Sequence, residues 1–222
     1  MWGEVSLRNQ AAGFRLGGNT GEDEWPGGHA LAALYECNER LLDLLQAHVR
    51  KTHREDPFVQ DIRPLLERVD TDSKARAARC AVLLADPGFD DAKRWTRALT
   101  GSPPEHEYVA SPYFTLSETI DMARQMARVI LTCAAHLAYS DAGAARLLFG
   151  LAPECIDAFA AHTVTQVAQL GDSHWIWFRP RWINKPGYWR ELLTTAMNGT
   201  PATQARVRVR GLQLLAGEAR LS

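Results

Sequence analysis

The sequence predicts an all-α fold, a multi-helix, bundle-like arrangement with a helix-turn-helix-like cluster of short helices in its C-terminal half. Three observations predict it. Apolar residues recur at three- and four-residue steps along most of the 222-residue chain. Cap and proline signals stand in front of these periodic stretches. Strand-like patterns are confined to two short runs, 175–178 and 206–210.

Four segments follow from composition. Residues 1–28, rich in Gly, Asn and acidic side chains, read as a loosely ordered arm. Residues 29–100 read as an N-terminal helical subdomain. The first helix runs from His29 to about Lys51 on Leu31, Leu34, Leu41, Leu45 and Val49. Asp56-Pro57 places a cap and a first-turn proline before a second helix, which Pro64 should bend or interrupt. Asp70-Thr71 caps a third, expected from Asp72 to Ala85, and a short helix from Asp90 to Leu99 carries Trp95.

Residues 101–114, with Pro103, Pro104 and Pro112, read as a linker. Residues 115–222 form the C-terminal helical domain. There Thr115-Leu116-Ser117-Glu118 is a capping box for a long helix to about Tyr139. Three short helices follow: one from Ser140-Asp141 to Gly150, one from Pro153 to near Ala161, and one capped by Thr163 and reaching about Leu170. Gly150 is placed to end its helix in the left-handed region. Thr200-Pro201 begins a last helix, preferred over a strand at 206–210.

Composition excludes several classes. With 46% hydrophobic and 23% charged residues the chain can bury an ordinary core. No run of eighteen apolar residues exists, so no membrane span is expected, and Met1-Trp2-Gly3-Glu4 lacks the layout of a signal peptide. A cytoplasmic location is the expectation. Cys37, Cys80, Cys133 and Cys155 form no Cys-x-x-Cys pair and read as buried free thiols rather than a zinc site or a disulfide. Loops for nucleotides, nucleophile elbows and zinc-protease motifs are missing, and the histidines show no ligand spacing. Binding without a cofactor or metal is therefore expected over catalysis, although distant residues can converge in an enzyme of unrecognised type.

The net charge is −1, but it is unevenly spread. From His174 onward Arg179, Arg181, Lys185, Arg190, Arg206, Arg208, Arg210 and Arg220 face only Glu191 and Glu218, which suggests an anionic partner or a solvated, ion-paired surface. Within this end, residues 174–190 interleave Trp175, Trp177, Trp182, Tyr188 and Trp189 with Arg179, Arg181, Lys185 and Arg190. Such a mixture can stack on bases and meet phosphates, or serve as a protein-binding hot spot, or clamp the C-terminal helix to the core. Residues 141–170 can form a helix-turn-helix in which Thr163, Thr165, Gln166 and Gln169 meet bases or phosphates. Plain helix packing is the other reading, because the stretch lacks lysines and is poor in arginine.

Residues 117–182 resemble FlhD, the helical subunit of the bacterial flagellar master transcription regulator. The similarity runs from "LTCAAHLAYSDAGAARLLFGLAPE" through "CIDAFAAHTVTQVAQLGD" to "WFRPRW". It lies in Gly150-Leu151, the Ala-rich 158–161, Thr163 with Gln166, and Phe178-Arg179. The family carries an arginine just before its closing Leu-Gly, where this chain has Leu148-Phe149. The resemblance implies an all-α transcriptional activator that binds DNA as a homodimer or as a hetero-oligomer with a subunit resembling FlhC. Arg179, Arg181, Lys185 and Arg190 would then meet phosphates, with salt-sensitive affinity, while Thr163 and Gln166 position the adjoining helix. The alternative is a helical adaptor or chaperone-like protein whose partner surface is Trp175, Trp177, Trp182 and Trp189.

Overall fold

A computed structural model describes residues 28–51, 56–101, 114 and 117–218. The arm, most of the 101–114 linker and the Thr115 capping box lie outside the described residues. Ten α-helices and a two-stranded ribbon make up the described chain: α1 (Gly28–Lys51), α2 (Pro57–Leu66), α3 (Thr71–Ala78), β1 (Ala85–Asp86), α4 (Ala92–Thr100), α5 (Ser117–Ser140), α6 (Ala142–Ala144), α7 (Pro153–Ala160), α8 (Val164–His174), β2 (Arg179–Pro180), α9 (Pro186–Asn198) and α10 (Pro201–Glu218). The fold is all-α, as its periodicity predicts. No described helix is long and apolar enough to cross a membrane.

The caps act as the sequence indicates. Asp56 Oδ1 accepts from the Val59 amide at 3.0 Å, and Asp70 Oδ1 from the Ser73 amide at 2.7 Å. Helix α2 passes through Pro64 and stops two residues later, at Leu66. Gly150, at φ 74°, closes a π-turn over Ala145–Phe149, and its amide donates to the carbonyls of Ala145 and Arg146.

Helix α1 organises the N-terminal half through two amides on its mainly apolar buried face. Asn38 Nδ2 donates to the carbonyls of Ala78 (3.1 Å) and Val82 (3.0 Å), while its Oδ1 accepts from the Leu84 amide at 2.8 Å. Gln46 Nε2 donates to the carbonyls of Leu66 (3.0 Å) and Val69 (2.9 Å). Every one of these bonds is buried, so each satisfies a backbone group that water does not reach.

Helix α3 ends at Ala78, not at Ala85 as its spacing suggests. Val82, Leu83, Leu84 and Ala85 are all buried, and four consecutive buried side chains do not fit one face of a helix. The run is instead a bent, non-helical segment that leads into the strand at Ala85. The Leu83 amide donates to the Leu148 carbonyl, the Arg181 amide donates to the Leu84 carbonyl, and Ala85-Asp86 pairs antiparallel with Pro180-Arg179.

Helix α9 is an element that its Lys-Pro-Gly start conceals. Its buried residues Tyr188, Trp189, Leu192, Leu193 and Ala196 nevertheless follow a helical period. Of residues 175–178, considered as a short extended segment, 175–177 form a turn of 3₁₀-helix, while Phe178 is extended and leads into the strand at Arg179. Residues 206–210 lie within α10.

The described residues of 29–100 and of 117–218 share one buried cluster. Helices α2 and α3 pack on α9, α4 on α7, and α1 on α5, while α8 lies along α5. This last approach depends on Gly171, where an added Cβ would stand 2.6 Å from the Arg128 backbone nitrogen.

Candidate functional site

The 174–190 segment turns most of its aromatic surface inward. Trp189 is wholly buried; its Nε1 donates to the Arg181 carbonyl at 2.7 Å, and its ring meets Phe58 edge-on at 5.6 Å. Trp182 is buried in the left-handed region at φ 58° and packs edge-on against Tyr188 at 4.8 Å, with no hydrogen-bond partner for its Nε1 among the described residues. Trp175 and Trp177 are half-buried. Trp177 stands 5.1 Å from Trp95 and 4.1 Å from His174, and the Arg94 guanidinium lies 3.8 Å from its centroid. Burial first, then the nearby Arg94 charge, pushes the His174 pKa down against the pull of its bond to the Leu170 carbonyl.

The basic side chains divide by whether a carboxylate meets them. Arg179 is exposed, but its Nε and Nη2 reach Asp86 Oδ2 at 2.9 and 2.8 Å. Burial raises the Asp86 pKa, yet the Arg181 and Arg179 charges and the Gly88 amide together hold it below the ordinary aspartate value. Arg181 is buried. Its Nη1 donates to Glu218 Oε2 at 3.0 Å, its Nη2 to the Phe149 carbonyl at 3.3 Å, and its Nε to the Ala85 carbonyl at 3.4 Å. Arg190 Nη1 donates to Asp61 at 3.3 Å, and Arg210 pairs with Glu191. Lys185 is exposed at the start of α9 and has no ion pair among the described residues. Arg220 lies outside them.

Thr163 and Gln166 form a reciprocal capping box at the start of α8. Thr163 Oγ1 accepts from the Gln166 amide at 3.3 Å, and Gln166 Oε1 accepts from the Thr163 amide at 2.9 Å. Both side chains are exposed beside the α8 terminus. The α7–α8 pair carries Glu154, Asp157 and Asp172 but no lysine or arginine. Asp172 is bound by Arg128 of α5, Nε to Oδ1, at 2.6 Å, and that hydrogen bond holds its carboxyl below the ordinary range.

A different place collects positive charge without compensation. Where the end of α3 meets α9 and α10, Arg76, Arg79 and Arg208 line a shallow crevice of about 10 Å³ together with Thr195, Gln204 and Cys80. No aspartate or glutamate is among the lining residues. Arg76 is fixed at the back, with Nε donating to the Ala196 carbonyl at 2.6 Å and Nη2 to Ser73 Oγ at 2.8 Å. Arg79 is exposed and Arg208 half-buried, and exposed Arg206 follows the same helix as Arg208; none of these three has an ion pair among the described residues. The floor is rigid. Cys80 Sγ lies 3.1 Å from Tyr188 Oη, and an added Cβ on Gly211 would fall 2.6 Å from that hydroxyl. Burial drives the Tyr188 phenol far above its usual range and raises the Cys80 thiol.

Arg206 and Arg208 belong to the basic end visible in sequence. Arg76 and Arg79 escape that reading, although their three-residue spacing on one helix is a signal of a shared face. The cleft offers guanidinium donors and no nucleophile aimed at a common point, so its chemistry is the holding of an anion. No three or more His, Cys, Asp or Glu side chains gather into a metal-binding group among the described residues. Comparison of the chain with family models, with curated proteins and with solved structures finds no match.

Proposed function

We propose that this chain is a nucleic-acid-binding regulator of the FlhD-like kind, which meets the phosphate backbone of DNA through the arginine junction of α3 and α10. The observation that carries the reading is the contrast in compensation. Carboxylates neutralise Arg179, Arg181, Arg190 and Arg210, whereas Arg76, Arg79 and Arg208 share a cleft that no carboxylate lines. A phosphate replaces water there without displacing an internal partner from Arg79 or Arg208. Exposed Arg206 and Lys185 extend the same chemistry, and the resemblance of residues 117–182 adds assembly as a homodimer or with an FlhC-like partner.

The test is fluorescence anisotropy on duplex DNA across a salt series. Wild-type affinity is expected to fall log-linearly with salt. Arg79→Gln with Arg208→Gln is expected to weaken binding roughly tenfold at low salt and to reduce the slope by about two, one for each lost phosphate contact. Absence of binding at low salt, or an affinity and slope that the double variant leaves unchanged, overturns the reading.

A second reading, the adaptor, is favoured by one observation. Tyr139 and Leu147, on either side of α6, are 82% and 66% exposed, the largest exposures among the described large hydrophobic side chains. With Trp182 and Trp189 inside the core, this reading rests on the α5–α7 turn rather than on 174–190. A protein captured by wild type but lost with Leu147→Ser supports it.

A further inference from the structure

Helix α10 is joined to the molecule along a narrow line. Of its 18 residues only Val207, Gly211 and Leu215 are buried, one at every fourth position. Gly211 sits against Tyr188 and Cys80, and Leu215 against Gly150. The outward side is not polar. Ala202, Ala205, Val209, Leu212 and Ala216 are all exposed, Val209 at 53% and Leu212 at 37%. They recur at alternating three- and four-residue steps, which is the spacing of a seam that a second helix packs into. The two larger side chains stand in the middle, and the alanines at the ends let a partner backbone come close. From Ala202 to Ala216 the seam is about 21 Å long, roughly four helical turns.

Charge says what covers it. On a helical period Arg206 borders the seam on one side and Arg208 on the other, and neither has an ion pair among the described residues. Arg210 is paired with Glu191 of α9. The one carboxylate of α10, Glu218, is held by Arg181. A second copy of this face would set arginine rims together with no carboxylate to answer them. A bilayer interface favours aromatic and leucine-rich faces, and this seam offers three alanines, one valine and one leucine.

We propose that the outer face of α10 is a docking surface for an acidic amphipathic helix of a partner protein. Its apolar knobs pack around Val209 and Leu212, and its flanking carboxylates pair with Arg206 and Arg208. Arg208 also borders the arginine junction, but Val209, Leu212 and Arg206 line no part of that crevice, so the seam can be tested without DNA.

The experiment measures binding of the full chain to a labelled helical peptide of repeated heptads, with leucine at both seam positions and glutamate at the flanking ones. A matched peptide carries lysine at the flanks. The glutamate peptide is expected to bind and the lysine peptide not to. Val209→Ser with Leu212→Ser is expected to weaken binding roughly tenfold, with the circular dichroism unchanged because both side chains are exposed. Arg206→Glu with Arg208→Glu is expected to reverse the preference toward the lysine peptide, a gain that a misfolded variant would not produce. Equal binding of both peptides overturns the proposal, as does no binding of either at low salt, or an affinity that the serine variant leaves unchanged. Self-association of the chain that Val209→Ser with Leu212→Ser abolishes, or flotation with anionic vesicles lost in the same variant, overturns it in favour of another occupant.

Discussion

Arg181 and Arg208 are the same residue in the same basic end of the chain, yet the fold uses them in opposite ways. Arg181 is drawn inside, where it joins the end of α10 to the π-turn and the ribbon through Glu218, the Phe149 carbonyl and the Ala85 carbonyl. Arg208 sits on the flank of α10, facing a cleft with Arg76 and Arg79 and no carboxylate. A guanidinium whose three nitrogens all donate internally is structure. One with donors left toward water is available for recognition. A count of basic residues along the sequence merges the two.

The comparison is sharpest at Arg181. Arg181→Met should remove the Glu218 pair and leave the Phe149 carbonyl without its side-chain donor, costing about 3 kcal/mol in a denaturant titration. An unchanged midpoint would put Arg181 among the recognition residues. The double change Arg79→Gln with Arg208→Gln is the converse. It should alter stability by less than about 0.5 kcal/mol while costing about 1.4 kcal/mol in DNA affinity, so loss of both together breaks the distinction. Thr163→Ala should cost about 1 kcal/mol of stability through the lost cap and leave DNA affinity unchanged. Lower affinity at full stability would instead restore α8 as a reading helix.

The smallest effect belongs to the exposed pair of Arg179 with Asp86. The Asp86 pKa is depressed in the fold, so its contribution is present above the unfolded value of about 3.8 and disappears as pH falls through the folded value. Wild type should exceed Arg179→Gln by about 0.5 kcal/mol at neutral pH, and the gap should close in acid below 3.8. A gap that persists in strong acid would assign Arg179 a role other than charge pairing.

What was legible in the sequence was local. Asp56, Asp70, Thr163 and Gly150 act within five residues of themselves, and their patterns name their roles. The non-helical 82–85 run reads as helix in sequence because a short apolar run carries no period of its own. Helix α9 was hidden behind Pro186-Gly187, a dipeptide that more often marks a turn. The candidate site was least legible, because compensation is a long-range property. Arg179 finds Asp86 and Arg190 finds Asp61 across 93 and 129 positions of sequence. Nothing near those arginines announces their partners. Arg76 and Arg79 gain significance only once α10 brings Arg208 beside them.

The buried amide of Asn38 has a consequence for anyone who would redesign this core. Leucine shares its branching and suits its apolar neighbours, so a scheme that scores hydrophobicity and outline alone would choose it. The exchange would silence a two-way connector, since one side chain donates to two carbonyls and accepts from one amide. Aspartate, its nearest isostere, would turn two attractions into oxygen facing oxygen. At this position the alphabet that the fold accepts is set by polarity and direction, and size is secondary.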